Sequence, residues 1–269
     1  MIDYERLGRE TRREILQIIA AAGRGHIGPS LSIVEMVNVC FQSILRCDPS
    51  NPMWPDRDRF ILSKGHGCLA YYVALARKGF FPKAELAKFC APGGILGGHP
   101  DHRKIPGVEA STGALGHGLA LGVGMALAAR IQGRAYRTFV LVGDGECNEG
   151  SVWEAALHAG KHRLDSLVVL VDQNQLQSYG RTSEVCDLEP LDAKWNSFGF
   201  ETQVVDGHDA RALEALLTDL PFQKGRPNAL ICRTVKGKGI AVAEGNPAWH
   251  HKAKIAPDEI SRLLAELGD

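Results

Sequence analysis

Residues 138–150 read TFVLVGDGECNEG, and residues 167–180 read LVVLVDQNQLQSYG. Each stretch begins with a β-branched apolar run, typical of a buried parallel strand, and continues into polar residues that favour turns. Between them, residues 151–163, SVWEAALHAGKHR, have the spacing and length of a helix. The order strand, helix, strand predicts that the two strands are parallel, because a crossover helix joins parallel neighbours.

Asp144 and Asn174 follow the ends of these two strands. Both are therefore predicted at the carboxyl edge of the sheet, where open α/β proteins bind ligands. A carboxylate and an amide oxygen suit a hard cation such as Mg²⁺, which commonly links a protein to phosphate groups. Gly-Asp-Gly alone is also a common turn. The glycines at 143, 145 and 150 lack the spacing of a dinucleotide-binding G-x-G-x-x-G motif.

The remaining chain predicts an α/β fold with a doubly wound parallel sheet and helices on both faces. An amphipathic first helix stops at Gly23, and a capping box of Ser32 and Glu35 predicts a second helix through about Leu45. A short extended run is predicted within 59–67, RFILSKGHG, and leads to the start of another helix. Further strands are predicted in 201–205 and 229–234, with helices from Gly113, at 191–198, at 210–220 and after Pro257. We expect a single domain over residues 1–269.

Composition excludes several classes of function. Lysine plus arginine equal aspartate plus glutamate at 31 each, so no net field favours nucleic acid or an anionic membrane. The apolar segment 114–129 is too short to span a bilayer, and the charged N-terminus predicts no signal peptide. Seven cysteines without a C-x-x-C pair predict reduced thiols and a cytoplasmic location.

Several segments place histidine or glycine at predicted loop ends. In chain order they are GHIGPSLS, DRFILSKGHG, GGHPD, STGALGHGLALGVGMA, VGDGECNEG, DQNQLQSYG, TVKGKG and AWHH. The GGHPD segment lies in a loop, 91–112, long enough to be functional in itself. Taken in this order, the segments resemble the N-terminal, diphosphate-binding half of transketolase, in the form made as a separate subunit.

This resemblance implies thiamine diphosphate as cofactor, with Mg²⁺ or another divalent cation such as Mn²⁺ or Ca²⁺. It implies metal ligation by Asp144, the Asn174 side chain and the Leu176 carbonyl. Catalytic roles facing the substrate fall on His26, His99 and His250. The cofactor contacts implied are His66, Gly113, Ala114, Leu115, Gly145, Glu149, Asn174 and His250.

Histidine suits proton transfer because its ordinary pKa lies near working pH. His251 follows His250 where the family usually has glycine, so either residue of the pair is a candidate to face the site. His102, His158, His162, His208 and His251 are interpreted as solvated or capping residues.

The resemblance implies transfer of a two-carbon ketol unit from a ketose phosphate to an aldose acceptor. It also implies a partner, the C-terminal transketolase subunit with the pyrimidine-binding domain, in an α₂β₂ heterotetramer. Two alternatives stay open at this point. One is half of a synthase of the 1-deoxyxylulose-phosphate type, which decarboxylates pyruvate, and the other is a non-catalytic regulatory homologue.

Overall fold

The structure is a computed structural model that describes residues 2–178, 180–250, 252 and 254–268. Across these ranges five strands form one parallel sheet in the spatial order β1-β2-β3-β5-β4. The strands are β1 (Arg59–Leu62), β2 (Thr138–Gly143), β3 (Leu167–Gln173), β4 (Glu201–Asp206) and β5 (Asn228–Arg233). β3 is therefore the central strand, and the predicted parallel pair β2 and β3 is confirmed.

Helices connect and cover the strands. Those before β2 are α1 (Tyr4–Ala22), α2 (Ile27–Leu31), α3 (Val34–Val39), α4 (Cys68–Lys78) and α5 (His117–Ile131). Those after β2 are α6 (Gly150–Lys161), α7 (Thr182–Val185), α8 (Leu191–Ser197), α9 (Ala210–Thr218) and α10 (Pro257–Glu266). Among the helices of the described chain, none combines the length and apolar character that crossing a bilayer requires.

Alternate residues of the strands bury into two separate hydrophobic cores. Phe139 and Leu141 of β2 point to a core with side chains of α1, α3, α4 and α9. Val140 and Val142 point to the opposite core, which α5, α6 and α8 complete. A strand covered on both faces must be apolar at every position, which explains the uninterrupted apolar runs. The predicted doubly wound sheet with helices on both faces is thus confirmed.

The predicted capping box at Ser32 is wrong. Ser32 follows the last residue of α2, and its hydroxyl donates to the Pro29 carbonyl at 3.1 Å and to the Asp172 carboxylate at 2.8 Å. α3 instead begins at Val34 and continues into a π-helical turn, Cys40–Ile44. The Ser32 hydroxyl therefore binds Asp172, which is distant in sequence, instead of the N-terminus of α3.

Candidate functional site

Loops that follow β1, β2, β3 and β5 surround one cavity of about 360 Å³ at the carboxyl edge of the sheet. The sequence-predicted residues that line this cavity are His26, His66, Gly113, Leu115, Asp144, Gly145, Glu149, Asn174, Leu176 and His250. Ala114 is exposed within the same turn as Gly113 and Leu115. His99 lies beside the lining residues, with its ring centroid 5.9 Å from that of His26. The structure therefore brings the predicted set together, while the role of each residue stays a prediction.

Asp144 is a buried carboxylate at the base of this cavity. One of its oxygens accepts a hydrogen bond from the Gly145 amide at 2.7 Å, and the other accepts one from the Gln175 amide at 2.5 Å. Burial, together with the charge of Asp172, raises the pKa of Asp144 to about 7. A carboxylate buried in this way is stabilised in its charged form by a bound cation.

Asn174 and Leu176 present oxygen atoms next to Asp144. The Asn174 side-chain oxygen accepts from the Leu176 amide at 3.0 Å, and the Leu176 carbonyl accepts from the Lys236 ammonium at 2.7 Å. The Leu176 carbonyl thus already binds a positive group in this structure.

The donor set fits a hard divalent cation. In the part of the chain that the structure describes, no three or more His, Cys, Asp or Glu side chains are grouped as a complete metal site. A cation here would rest on one carboxylate, one amide oxygen and one carbonyl, and would need further oxygens from a bound phosphate or from water. That is the chemistry expected of a metal held jointly by a protein and a diphosphate.

Asp172 is a hydrogen-bond acceptor beneath the cavity. It is fully buried and accepts hydrogen bonds from Lys64, Thr234, Ser32 and the Asn174 amide group. Burial alone would raise the pKa of Asp172, but the Lys64 ammonium and these hydrogen bonds lower it below its ordinary value. Because the Asn174 amide nitrogen donates to Asp172 at 2.8 Å, the Asn174 oxygen is directed away from Asp172.

Glu146 fixes the turn that carries Gly113 and Leu115. Its carboxylate accepts from the Ser63 hydroxyl at 2.5 Å, the Gly116 amide at 2.8 Å and the Gly143 amide at 3.1 Å. Burial raises the pKa of Glu146. These bonds connect the turn to the ends of β1 and β2.

Two glycines of the cavity lining lie in close contact with neighbouring side chains. Gly113 has φ +137°, and a Cβ atom there would lie 2.9 Å from the His99 ring. A Cβ atom on Gly145 would lie 2.8 Å from the Gln177 side chain. Glycine at these positions lets the His99 and Gln177 side chains pack directly against the main chain of the site.

Four histidines form a cluster over the cavity. The His26 ring centroid lies 5.8 Å from that of His66 and 6.1 Å from that of His250, and the His66 and His250 centroids are 5.6 Å apart. Burial lowers the pKa of His66 well below the ordinary value, and the charge of Lys64 lowers it further. Burial also lowers the pKa of His99. Both shifts favour the neutral ring, which can donate one hydrogen bond and accept one proton.

His250 is 6% exposed, lines the cavity and has its Nε2 atom 3.3 Å from the Ser178 hydroxyl. His251, the other candidate of the pair, lies outside the described residues. The structure thus locates His250 at the cavity.

Sequence reasoning missed Lys64 and Lys236. Both line the cavity, and burial, followed by the charge of Lys64, lowers the pKa of Lys236 to about 8. Lys64 follows β1, and Lys236 lies in the TVKGKG segment after β5, so the rule that ligands bind at carboxyl ends of strands could have found them. Lys64 is ion-paired with Asp172, whereas Lys236 donates to a neutral carbonyl, so it is the Lys236 ammonium that favours an anionic ligand.

A comparison with protein families matches residues 6–269 to the family described as transketolase, thiamine diphosphate binding domain. A 6-deoxy-6-sulfo-D-fructose transketolase subunit of Clostridium sp. is 40% identical over 99% of this chain and 96% of its own length. An apulose-4-phosphate transketolase subunit of Actinobacillus succinogenes is 41% identical, again over 99% of this chain and 96% of its own length.

Solved structures give the same result. Transketolase from Leishmania mexicana superposes with a TM-score of 0.91 at 30% identity, covering 100% of this chain and 42% of that chain. Pichia stipitis transketolase in complex with sedoheptulose 7-phosphate gives a TM-score of 0.92 at 29% identity, covering 98% of this chain and 40% of that chain. The chain thus spans less than half the length of these solved transketolases. It belongs to the transketolase family and matches the thiamine diphosphate binding domain of that family.

Proposed function

We propose that this chain is the N-terminal subunit of a thiamine-diphosphate-dependent transketolase that transfers a two-carbon ketol unit from a ketose to an aldose acceptor. It works as one domain that binds the diphosphate end of the cofactor together with Mg²⁺. The observation that carries the proposal is the convergence of Asp144, Asn174, two lysines and four histidines on one cavity. A scaffold protein with no catalytic role has no need for this arrangement.

The floor of the cavity binds the cofactor. Asp144, the Asn174 oxygen and the Leu176 carbonyl hold the cation, which replaces the Lys236 ammonium at that carbonyl, and Lys236 then offsets the negative charge of the diphosphate. His66, neutral because of burial, donates a hydrogen bond to a phosphate oxygen. When bound, thiamine diphosphate supplies the electron sink that the cleavage of a carbon–carbon bond requires.

The histidines above the cofactor site transfer protons. His26, His99 and His250 surround the space above the cofactor site, where the sugar hydroxyl and carbonyl oxygens would lie. A neutral imidazole such as that of His99 accepts a proton from a hydroxyl group and returns it to an oxygen that gains negative charge. Rings about 6 Å apart, as measured between centroids, allow two of them to contact one small substrate.

A partner completes the site. Among the described residues that line the cavity, none is phenylalanine, tyrosine or tryptophan, so the described lining supplies no aromatic wall for a pyrimidine ring. The partner proposed is the C-terminal, pyrimidine-binding transketolase subunit, in an assembly with two copies of each chain. All seven cysteines are free thiols, which is consistent with action in the cytoplasm.

The donor proposed is a ketose with an anionic group at its far end. The two related proteins described above are named for apulose 4-phosphate and for 6-deoxy-6-sulfo-D-fructose, sugars that carry a phosphate or a sulfo group. These names support an anionic donor and leave the choice between phosphate and sulfonate to experiment.

The proposal is tested by a turnover assay on the chain mixed with its C-terminal partner, Mg²⁺ and thiamine diphosphate. Ketose phosphates, sulfo-ketoses and pyruvate are compared as donors with an aldose phosphate as acceptor. Ketol transfer from a ketose supports the proposal. Exclusive use of pyruvate with release of carbon dioxide would favour the 1-deoxyxylulose-phosphate type, and no cofactor binding would favour a regulatory homologue.

Replacing His66 or His250 by alanine separates binding from chemistry. We expect both variants to need about tenfold more thiamine diphosphate, because each loses a hydrogen bond to the cofactor. At saturating cofactor, His66→Ala regains the wild-type kcat, whereas His250→Ala keeps a kcat at least about a hundredfold lower, since His250 also faces the reacting carbonyl. The measurement is kcat as a function of cofactor concentration. Full recovery of both variants would show that His250 takes no part in the chemistry.

A further inference from the structure

His208 lies outside the cavity, in the segment after β4, and the sequence interprets it as a solvated or capping residue. The structure contradicts this interpretation, since only 13% of its side chain is exposed and both ring nitrogens are engaged. Nδ1 lies 3.0 Å from the Glu35 carboxylate, and the Val235 amide donates to Nε2 at 2.8 Å. The ring thus joins α3 to the segment that follows β5.

These contacts show which ring nitrogen of His208 carries the proton. A backbone N–H can only donate, so Nε2 accepts the bond from Val235 and carries no proton. The proton of the neutral ring then resides on Nδ1, which donates it to Glu35. His208 therefore holds Val235 as a neutral imidazole in one defined tautomer.

The same carboxylate is held by Arg12, whose guanidinium donates to the two Glu35 oxygens at 2.7 and 3.0 Å. Arg12 also donates from Nε to the Lys238 carbonyl at 2.8 Å. Arg12, Glu35 and His208 form a cluster, here called the ionic cluster. Through Val235 and Lys238, the ionic cluster holds both ends of the turn 235–238.

Lys236 lies between these two held ends. Its side chain points away from the ionic cluster, is 3% exposed, and donates from Nζ to the Leu176 carbonyl in the cavity. The buried Lys236 stem starts from the backbone of this turn, so a shift of the turn changes the path from the Lys236 Cα atom to the Leu176 carbonyl. The His208 bond thus lies on the outer side of a turn whose inner side carries the Lys236 ammonium.

We propose that His208 is a positioning residue that holds the turn 235–238 so that the Lys236 ammonium lies at the cofactor diphosphate. The proposal rests on the function proposed above, because the cavity must bind a diphosphate. His208 itself contacts no cofactor. It acts through one hydrogen bond, from the Val235 amide to Nε2.

Two substitutions distinguish the bond between Val235 and His208 from the bond between His208 and Glu35. In His208→Gln the side-chain oxygen reaches the place of Nε2 and accepts from Val235. In His208→Asn the shorter amide reaches the place of Nδ1, donates to Glu35 and leaves the Val235 amide without its partner. Titration calorimetry of thiamine diphosphate, with Mg²⁺ and the C-terminal partner present, then gives the cofactor Kd of each variant.

We expect His208→Gln to bind within about twofold of the wild type and His208→Asn to bind about tenfold more weakly, a loss common when an outer residue that orients a ligand-binding group is removed. In a Lys236→Met background the difference between Asn and Gln should vanish, because the two residues act on one contact. Equal binding by both variants, or weaker binding by Gln than by Asn, would overturn the proposal and assign His208 only to the support of Glu35.

Hydrogen–deuterium exchange of residues 234–239 supplies a measurement that needs no cofactor. Faster exchange of this segment in His208→Asn than in His208→Gln supports the proposal, and equal exchange overturns it. A wild-type complex that binds no thiamine diphosphate would contradict the proposed function instead. The exchange rates would still decide whether His208 holds the turn.

Discussion

Replacing Asp144 by asparagine is expected to lower the affinity for thiamine diphosphate and Mg²⁺ at least about tenfold. The substitution conserves size but removes the negative charge that faces the cation. Binding is measured by titration calorimetry on the complex with its partner. Asp192→Asn, which removes an exposed carboxylate on α8, is the matched control and should leave the affinity unchanged. Wild-type affinity in the Asp144 variant would contradict its assignment as a metal ligand.

The same variant has a second expected signature, in the pH dependence of stability. The pKa of Asp144 is raised by burial to about 7 in the folded chain, from an ordinary value near 4. A raised carboxyl pKa means that ionisation opposes folding, so this contribution destabilises the chain as pH rises from about 4 to 7. Without metal, the free energy of unfolding of the wild type should therefore fall, relative to Asp144→Asn, by on the order of a few kcal/mol over this range.

Denaturant unfolding at about pH 5 and pH 8 checks this result, first without and then with Mg²⁺ and thiamine diphosphate. The cofactor should restore the stability of the wild type at the higher pH, because the cation compensates the ionised carboxylate. If the free energy of unfolding depends on pH in the same way for wild type and variant, ionisation of Asp144 does not destabilise the fold. The electrostatic argument for a bound cation would then be contradicted.

The sequence predicted the centre of the sheet well because the signal there is local. β2 and β3 are continuous apolar runs bounded by turn residues, and parallel pairing follows from the helix between them. In the observed register Gly143 pairs with Asp172, so Asp144 and Asn174 leave the sheet side by side as predicted. The placement of these two residues therefore follows from the strand–helix–strand pattern alone.

The rest of the site depends on contacts that local pattern does not contain. Asp172 binds Lys64 and Thr234, which lie 108 and 62 positions away in sequence and follow β1 and β5, on opposite sides of β3 in the sheet. Periodicity identifies strands but not their spatial order, so the hydrogen bonds around Asp172 could not be predicted. The error at Ser32 has the same origin, since its hydroxyl binds Asp172 instead of a helix end. His208 is a further case, with contacts in α3 and after β5.

The isolated chain is expected to show no ketol transfer, and addition of the C-terminal partner should raise the rate by several orders of magnitude. The described lining of the cavity lacks an aromatic wall, and related chains of nearly the same length are named as subunits. Half of the cofactor would therefore face solvent in the isolated chain. The assay compares each of the two chains by itself with the mixture, at saturating Mg²⁺ and thiamine diphosphate.

The partner should dock on the exposed face of α5 next to the cavity. Leu121 is 45% exposed there, and Ala120 and Gly124 leave the helix backbone open to close approach. Leu121→Glu would place a charge in an apolar interface, so it should weaken binding between the two chains and raise the partner concentration needed for half-maximal activity. Met53→Glu, at a loop position that is 68% exposed, is the control and should have no effect. Full turnover by the isolated chain, at a rate that the mixture does not exceed, would defeat the split-enzyme proposal, because one chain would then supply both halves of the cofactor site.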